Sequence, residues 1–388
     1  MLNVTKETRP VDIRQVKTRK DWRDFHALPY RVYRNDPHWI PPLLLERKFH
    51  FQAKHNPFFQ HAKAEFWTAY RDGVPVGRIT AQIDQLHLDR HRDATGHFGF
   101  IEAVDDPAVF GQLLAAAESW ARVGGIRRIV GPVSFSLWDQ PGLLVDGFDA
   151  SPSVMMNYNH RYFERHITAA GYSPVQDLLT YEYDGRLPFP DRAIRLVEWG
   201  RKRASITVRP IRKDSKNINQ EIALLLDIIN DAWSDNWGFV PMTKAEIADL
   251  ATVFRILLRP GDVAIAEYNG APVAFALIMP NLNEVIRDLG GKLFPFGWAK
   301  ILWRLKIRKP FTARMPLMGV RKALQSSPLG AALALMVIQE TRIFNIENGT
   351  PIGELSWILD QNEGVKNVID LVGAAQKKRY RLFEKPLG

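Results

Sequence analysis

Residues 314–333 read RMPLMGVRKALQSSPLGAAL. The first seven, Arg314–Val320, alternate and carry large apolar side chains, the pattern of a strand. From Ser327 to about Asn345 the apolar residues recur at helical spacing, and Gly349 closes the helix. A strand therefore passes into a helix through a loop that carries Arg321 and Lys322. The start of a helix presents unpaired N–H groups and the positive end of its dipole, and two cations beside it add to the field. Such a loop suits a diphosphate. The plain alternative is an ordinary connection capped by Ser326 or Ser327.

Outward from this stretch the elements fall into a repeating order. Upstream lie two helices, about Gln220–Trp233 and Lys244–Leu257. A hairpin follows, Val263–Tyr268 and Val273–Met279, turning at Asn269-Gly270. Downstream come a strand at Ile352–Leu359, Asn362, a helix ending at Gly373, and a strand with Tyr380 and Phe383. The first half has the same sequence of signals. There is a helix near Asp21–Tyr33, a hairpin turning at Asp72-Gly73, a strand at Phe98–Val104 and a helix at Pro107–Val123. A short strand, a helix over His160–Ala170 and a last strand with Tyr181 and Tyr183 complete it. Asn157 and Asn362, Gly171 and Gly373, and Tyr181 and Tyr380 are each about 200 residues apart. The expected fold is α/β, a duplicated unit in which each copy is a mixed central sheet flanked by helices. The expected boundaries are 1–185, a linker at 186–204 within the basic segment Asp184–Asn217, and 205–388.

With strand, loop and helix in that order, the chain resembles the GNAT acyltransferases. Their motif between the fourth strand and the next helix is matched by Val320, Gln325, Gly330 and Leu333, with Pro328 in place of the first glycine. The resemblance implies two tandem GNAT-like domains and an acyl thioester as donor, from coenzyme A or acyl carrier protein. No tightly bound cofactor and no metal are implied. Val320, Arg321, Lys322, Gln325 and Gly330 would hold the donor diphosphate, and Asn362 its pantetheine arm; the alternative for Asn362 is a helix cap. In the first half the same position reads Asp105-Asp106-Pro107, which repels phosphate and caps a helix well. Donor binding is therefore expected in the second half alone.

A narrower resemblance covers nearly the whole chain. The stretches 142–148 (GLLVDGF), 230–239 (NDAWSDNWGF) and 354–360 (ELSWILD) are similar to a group of bacterial tandem-GNAT proteins that includes the bacterial ceramide synthases. It implies transfer of a fatty acyl group to the amine of a sphingoid base. Acyl transfer to an amine needs a base. Glu354, on the strand that in this family splays from its neighbour, is the first choice, and Asp360 the second. The family's tyrosine acid, four residues before the closing glycine, is here Ile369. Asn230, Trp233 and Trp237 are candidates for the acceptor groove; core packing is the alternative for the tryptophans. A soluble acetyltransferase and an inactive membrane-docking scaffold are the competing readings of the whole.

Composition bounds the rest. The 388 residues contain no cysteine, which excludes disulfides, thiolate metal sites and a cysteine nucleophile. No run approaches the roughly 18 apolar residues of a membrane span, and the N-terminal MLNVTKETRPVD has no apolar core of a secretory signal. The expected location is the cytoplasm. The net charge of +10 favours anionic partners. Much of it falls in residues 281–311, whose core LGGKLFPFGWAKILWRLKIRKPF interleaves Lys292, Lys300, Arg304, Lys306, Arg308 and Lys309 with Phe294, Phe296, Trp298, Trp303 and Phe311. At helical spacing Trp298, Ile301, Leu302 and Leu305 share a face, with Lys300 and Arg304 off it. That is the build of a helix lying in a membrane interface, here the inner face of the cytoplasmic membrane, with Lys300, Trp298, Trp303 and Arg304 in contact. A packed helix with solvated charges is the alternative. Nucleic acid is not expected, since no recognised motif accompanies the charge. His87, His91 and His97 are spaced as metal ligands can be, but their charged neighbours Asp89, Arg90, Arg92 and Asp93 read as an exposed polar segment.

Overall fold

A computed structural model of the chain describes residues 9–214 and 218–388. The first eight residues, part of the stretch read for a signal, and 215–217, the end of the basic joining segment, lie outside the described residues. The first half runs β1 (Asp12–Gln15), α1 (Arg19–Val32), α2 (Leu44–His50), β2 (Ala62–Arg71), β3 (Val74–Asp84), α3 (Gln85–His91), β4 (Thr95–Ala103) and α4 (Pro107–Val123). It continues through β5 (Arg128–Gly131), β6 (Val133–Ser134), β7 (Gln140–Pro141), β8 (Leu143–Asp146), α5 (Tyr162–Ala169) and β9 (Ser173–Asp184). The second half runs α6 (Asp191–Arg201), β10 (Ile206–Pro210), α7 (Ile218–Ala232), α8 (Lys244–Leu257), β11 (Val263–Tyr268), β12 (Ala271–Pro280), α9 (Leu282–Ile286) and α10 (Gly297–Trp303). After these come β13 (Thr312–Val320), α11 (Pro328–Glu347), β14 (Ile352–Leu359), α12 (Glu363–Val372) and β15 (Ala375–Pro386).

Local chemistry sets these elements. Both hairpins turn through two residues with positive φ, Asp72-Gly73 and Asn269-Gly270, the type I′ geometry that matches strand twist. Thr18 with Asp21, and Thr243 with Glu246, form reciprocal capping boxes on α1 and α8. Asp106 caps α4, whose first residue is Pro107.

One sheet runs through the molecule in the order β1-β2-β3-β4-β5-β15-β9-β14-β13-β12-β11-β10, with β8 also on β15. Only β4/β5 and β13/β14 along this path are parallel. The last strands are exchanged. β15 lies between β5 and β9, and β9 pairs with β14. This corrects the expectation of two separately closed units. The break at 185–205 is a break in the chain order and not in the sheet, and 13 strands share one ladder system. The segment 186–204 is no linker either. It folds as α6, whose Gly200 lies so close to α11 that a Cβ there would stand 2.6 Å from Met336 Sδ. Its charged residues masked an apolar face at Ala193, Val197 and Gly200.

Helices cover both faces. α4 and α5 pack on one side of the first half, α1 and α2 on the other, the latter around a cluster of Phe25, Phe51, Phe58, Phe66, Phe100 and Phe135. In the second half α6, α11 and α12 cover one face, α7 and α8 the opposite one. α11 is long and apolar enough for a bilayer span, but 56% of that stretch is buried inside the protein. Leu333, Leu335 and Val337 have no exposure, and truncating a leucine at such a site costs about 2–5 kcal/mol.

Candidate active site

β13 and β14 run side by side for four residue pairs, from Thr312–Ile352 to Met315–Leu355. The next residue on β13 is Pro316, which has no N–H to give to a ladder. There the strands part, and β14 slips by a bulge between Leu355 and Ile358 as it follows β9. The gap is a narrow apolar cleft of about 70 Å³. Its walls include Met315, Pro316 and Met318 of β13, Ser356–Leu359 of β14, Ile369 of α12, and Trp233. Methionines deform readily, so the cleft can widen around a chain. Trp233 is fixed by its indole N–H donating to the Met318 carbonyl at 3.1 Å and by stacking on Trp138.

On the same strand-to-helix connection the chain turns from Val320 through Arg321 and a short 3-10 turn, Lys322–Leu324, into α11. Ser327 caps the helix by accepting from Gly330 N–H at 3.0 Å. Gly330 is needed for this closeness, since a Cβ there would stand 2.1 Å from the Leu324 carbonyl oxygen. The N–H groups of Ser326, Ser327 and Leu329 find no protein partner among the described residues. Gln325 does not face outward alone; its amide donates to the Val320 carbonyl at 2.7 Å and shapes the loop. The cations are engaged as well. Arg321 pairs with Asp227, Lys322 with Asp235, and Lys322 N–H donates to Asp231 at 2.8 Å. These three aspartates, four residues apart on and just after α7, were missed in the sequence, although their i, i+4 spacing was there to be read. The pairs are exposed and hence weak, so a diphosphate can displace them.

Behind the cleft, on the opposite face from α11, sits a buried polar cluster. Arg314 has no exposure. Its Nε donates to Ser356 Oγ at 2.9 Å, its Nη1 to the Val154 carbonyl at 2.9 Å, and its guanidinium lies 4.2 Å from the Trp357 ring centroid. Ser356 Oγ in turn donates to Glu354 Oε1 at 3.0 Å. Burial raises the Glu354 carboxyl above its ordinary 4.5, opposed by Arg314, Ser356, Lys378 and Ser153. Burial also lowers Arg314 to about 10. Tyr380 Oη and Trp357 Nε1 are buried with no hydrogen-bond partner among the described residues. Glu354 is half-buried within this cluster. Ser356, two residues on along β14, shares a face with Glu354 by the strand period, whereas Arg314 was not legible as a neighbour, because that contact crosses strands.

The remaining candidates separate. Asp360 is exposed at the far end of β14 and accepts from Gln176 at 2.6 Å, a structural role. Asn362 lines the cleft and also caps α12 through Val365 N–H. Asn230 is half-buried on α7. Trp237 does not share the cleft with Trp233; it lines a second, open cavity of about 560 Å³ with His87, His91 and His97. These histidines are not on an exposed segment. His87 and His97 are buried, and burial lowers both, His97 to about 3. No group of three or more metal-ligating side chains occurs among the described residues.

The equivalent cleft of the first half is filled by its own chain. β4 and β5 part after His97–Val130. There Gly99 abuts Val133, where a Cβ would stand 2.1 Å from the carbonyl oxygen, and Gln82 donates to the Val133 and Phe135 carbonyls. Asp106 caps α4 and pairs with Arg71, while Asp105 pairs with Arg165 and His166.

The insert is exposed. Phe296, Ile307 and Phe294 are 77%, 70% and 68% accessible, and no residue of α10 or of the π turn Arg304–Arg308 is buried. Trp298 and Trp303 are half exposed. Lys300 and Arg304, however, are tied to Asp288 of the same segment. They anchor the insert, and the cations left to solvent are Lys292, Lys306 and Arg308.

A duplicated unit whose fourth and fifth strands splay beside a strand-to-helix loop defines the tandem GNAT-fold acyltransferases. Solved structures agree. A tandem GNAT protein from the clavulanic acid biosynthesis pathway superposes with a TM-score of 0.56 at 12% identity, over 98% of this chain and 99% of its own. A GCN5-related N-acetyltransferase from Sphaerobacter thermophilus gives 0.54 at 14% identity, over 98% and 97%. No family model matches the chain. Two relatives are each 42% identical: the bacterial ceramide synthase of Caulobacter vibrioides, over 96% of this chain and 96% of its own, and protein YghO of Escherichia coli, over 97% and 95%. The chain belongs to the family of these two proteins.

Proposed function

We propose that this protein transfers a fatty acyl group from a coenzyme A or carrier-protein thioester to a lipid amine, such as a sphingoid base, at an anionic membrane surface. The observation that carries this reading is that the same half holds a narrow apolar cleft between β13 and β14 and an exposed, basic, aromatic insert. The cleft offers an acyl chain an apolar wall, and the insert offers the bilayer both rings and free cations. The name of the Caulobacter relative agrees.

In this reading the donor diphosphate meets the N-terminus of α11 around Gln325–Gly330, with Val320, Arg321 and Lys322 beside it and Asn362 along the pantetheine. Donor binding belongs to the second half. The amine nitrogen attacks the thioester carbon from the Glu354 side. Its proton passes to the Glu354 carboxylate, directly or through water, the carbon–sulfur bond breaks, and the thiolate leaves. A raised carboxyl suits this task, because a base works best with a pKa near the working pH. Ile369 lines the cleft where the family's tyrosine acid would stand, so the thiolate takes its proton from water.

A second reading is favoured by the size of the cleft. About 70 Å³ suits a short acyl group without rearrangement. Assays of purified protein with palmitoyl-CoA and sphinganine, beside acetyl-CoA with simple amines, separate the two. Amide product from the lipid pair is expected. Product from the acetyl pair alone overturns the lipid reading, and product from neither, with coenzyme A bound, points to a carrier-protein donor or a scaffold.

A further inference from the structure

Two short helices, one in each half, carry large apolar side chains, yet no residue of either is buried. They are α2, LLERKFH, and α10, GWAKILW. A helix packed on its own domain buries an apolar stripe, as α1 does with Phe25 and Leu28. Instead Leu45 and Phe49 of α2 are exposed, as are Trp298, Leu302 and Trp303 of α10. The two helices are joined at one place. Leu44 N–H, at the start of α2, donates to the Gly291 carbonyl at 3.0 Å. Tyr30 Oη donates to the Pro42 carbonyl at 2.9 Å. Gly291 lies against both groups, and a Cβ there would stand 1.9 Å from Tyr30 Oη and 2.8 Å from the Pro42 oxygen. Arg287 donates to the Pro37 carbonyl at 2.9 Å. The root of the insert is thus fastened to the stretch that leads into α2, and α10 begins shortly after the junction.

Both partners of this junction are basic. From Pro37 to Gln60 the only acidic residue besides none other than Glu46 is absent from the sequence, and Glu46 accepts from Arg47 at 2.6 Å, which leaves Lys48 and Lys54 exposed. The insert adds Lys292, Lys306 and Arg308. Resting on the membrane contact proposed above, we infer that the bilayer-binding surface is shared by the two halves: α2 of the first half lies on the anionic bilayer beside the insert of the second. An anionic bilayer answers both the exposed apolar side chains and the cations. A second copy of this chain, set two-fold on the same surface, would bring cation against cation. The first half, which holds no donor in the reading above, then serves the reaction by fixing how the molecule lies on the membrane. Contact through one helix leaves the protein free to roll about it; contact through two, tied together at Leu44 and Gly291, stops that roll.

The chain has no cysteine, so one introduced cysteine carrying a polarity-sensitive nitrobenzoxadiazole dye reports one place. Phe49→Cys marks α2, Phe296→Cys marks the insert, and Val123→Cys, at an exposed residue of α4 across the sheet from α2, is the reference. With vesicles of phosphatidylserine and phosphatidylcholine, the dye at 49 and the dye at 296 should both brighten and both be quenched by lipids brominated on the acyl chain. The dye at 123 should do neither. Brightening at 296 alone overturns the inference and leaves the membrane reading standing, whereas brightening at neither 49 nor 296 overturns the two together. A dye at 49 that brightens as protein is concentrated without vesicles shows a second copy covering α2, and the inference fails. A label-free variant completes the test. Leu45→Ser with Phe49→Ser should weaken partitioning to the same vesicles about tenfold, with calorimetric coenzyme A affinity kept as the sign of an intact fold. Partitioning equal to that of the native protein overturns the inference.

Discussion

Arg314 and Glu354 stand directly opposite one another on adjacent parallel strands, one residue pair before those strands separate. The two residues therefore sit just behind the vertex of the cleft, beside the place a reacting carbonyl takes if an acyl thioester enters between β13 and β14. Four expectations follow from this placement and from the surfaces around it.

Arg314→Met should be strongly destabilising. It removes the cation nearest the half-buried Glu354 carboxylate and leaves the buried Val154 carbonyl without its donor, and a buried acceptor left unsatisfied costs about 1–3 kcal/mol. Adding Glu354→Gln should recover part of that loss, because no charge is then stranded. Urea unfolding of the two single variants and the double variant measures this; a double variant as unstable as the sum of the singles would mean that the pair is not coupled.

Glu354→Gln should lower kcat by about 100-fold or more while coenzyme A affinity is kept. In the native protein activity should fall on the acid side as Glu354 takes up its proton. Because burial raises this carboxyl, that limb lies above 4.5, and deprotonation, not protonation, is the active state. Initial rates across pH check the sign.

Gly330→Ala should abolish donor binding. The added methyl meets the Leu324 carbonyl oxygen at 2.1 Å, and backbone cannot yield as a flexible side chain can. The Ser327 cap is lost with it, at about 1 kcal/mol. Calorimetry with coenzyme A should show no binding, while circular dichroism retains the fold.

Membrane binding should follow the free cations. Replacing Lys292, Lys306 and Arg308 by Glu should cut affinity for phosphatidylserine vesicles, at about 1 kcal/mol per residue, and added salt should weaken the native protein in the same way. Replacing Lys300 and Arg304 by Glu should loosen the insert itself, since both hold Asp288. Vesicle sedimentation compares the two sets; equal binding by the first set and the native protein would make the exposed rings, not charge, the anchor.

Much of the architecture was legible in one dimension. Two type I′ turns, the capped helix at Pro107–Val123, and Ile352–Leu359 were readable because their signals are local: positive φ, a cap, an alternating run. The family resemblance, and not local pattern alone, pointed to the Gln325–Gly330 loop and to Glu354 on the strand that splays in this family. Local reading failed at α6, where charge hid a packed helix face, and at Lys300 and Arg304, whose shared partner Asp288 is a turn-side carboxylate 12 and 16 residues back in the chain.

By itself the sequence determined the repeat, the spans of the hairpins and of the long helices, the glycine that a tight loop requires, and the mixture of rings and cations in the insert. Each depends on neighbours in the chain. Only the tertiary structure decided that β9 and β15 change places, that the first cleft is filled by Val133 and Phe135, and that Glu354 stands half-buried opposite Arg314. Those outcomes depend on which strands meet across about 200 residues, and pairing between distant segments is set by the packing of the whole sheet, not by the pattern of any one strand.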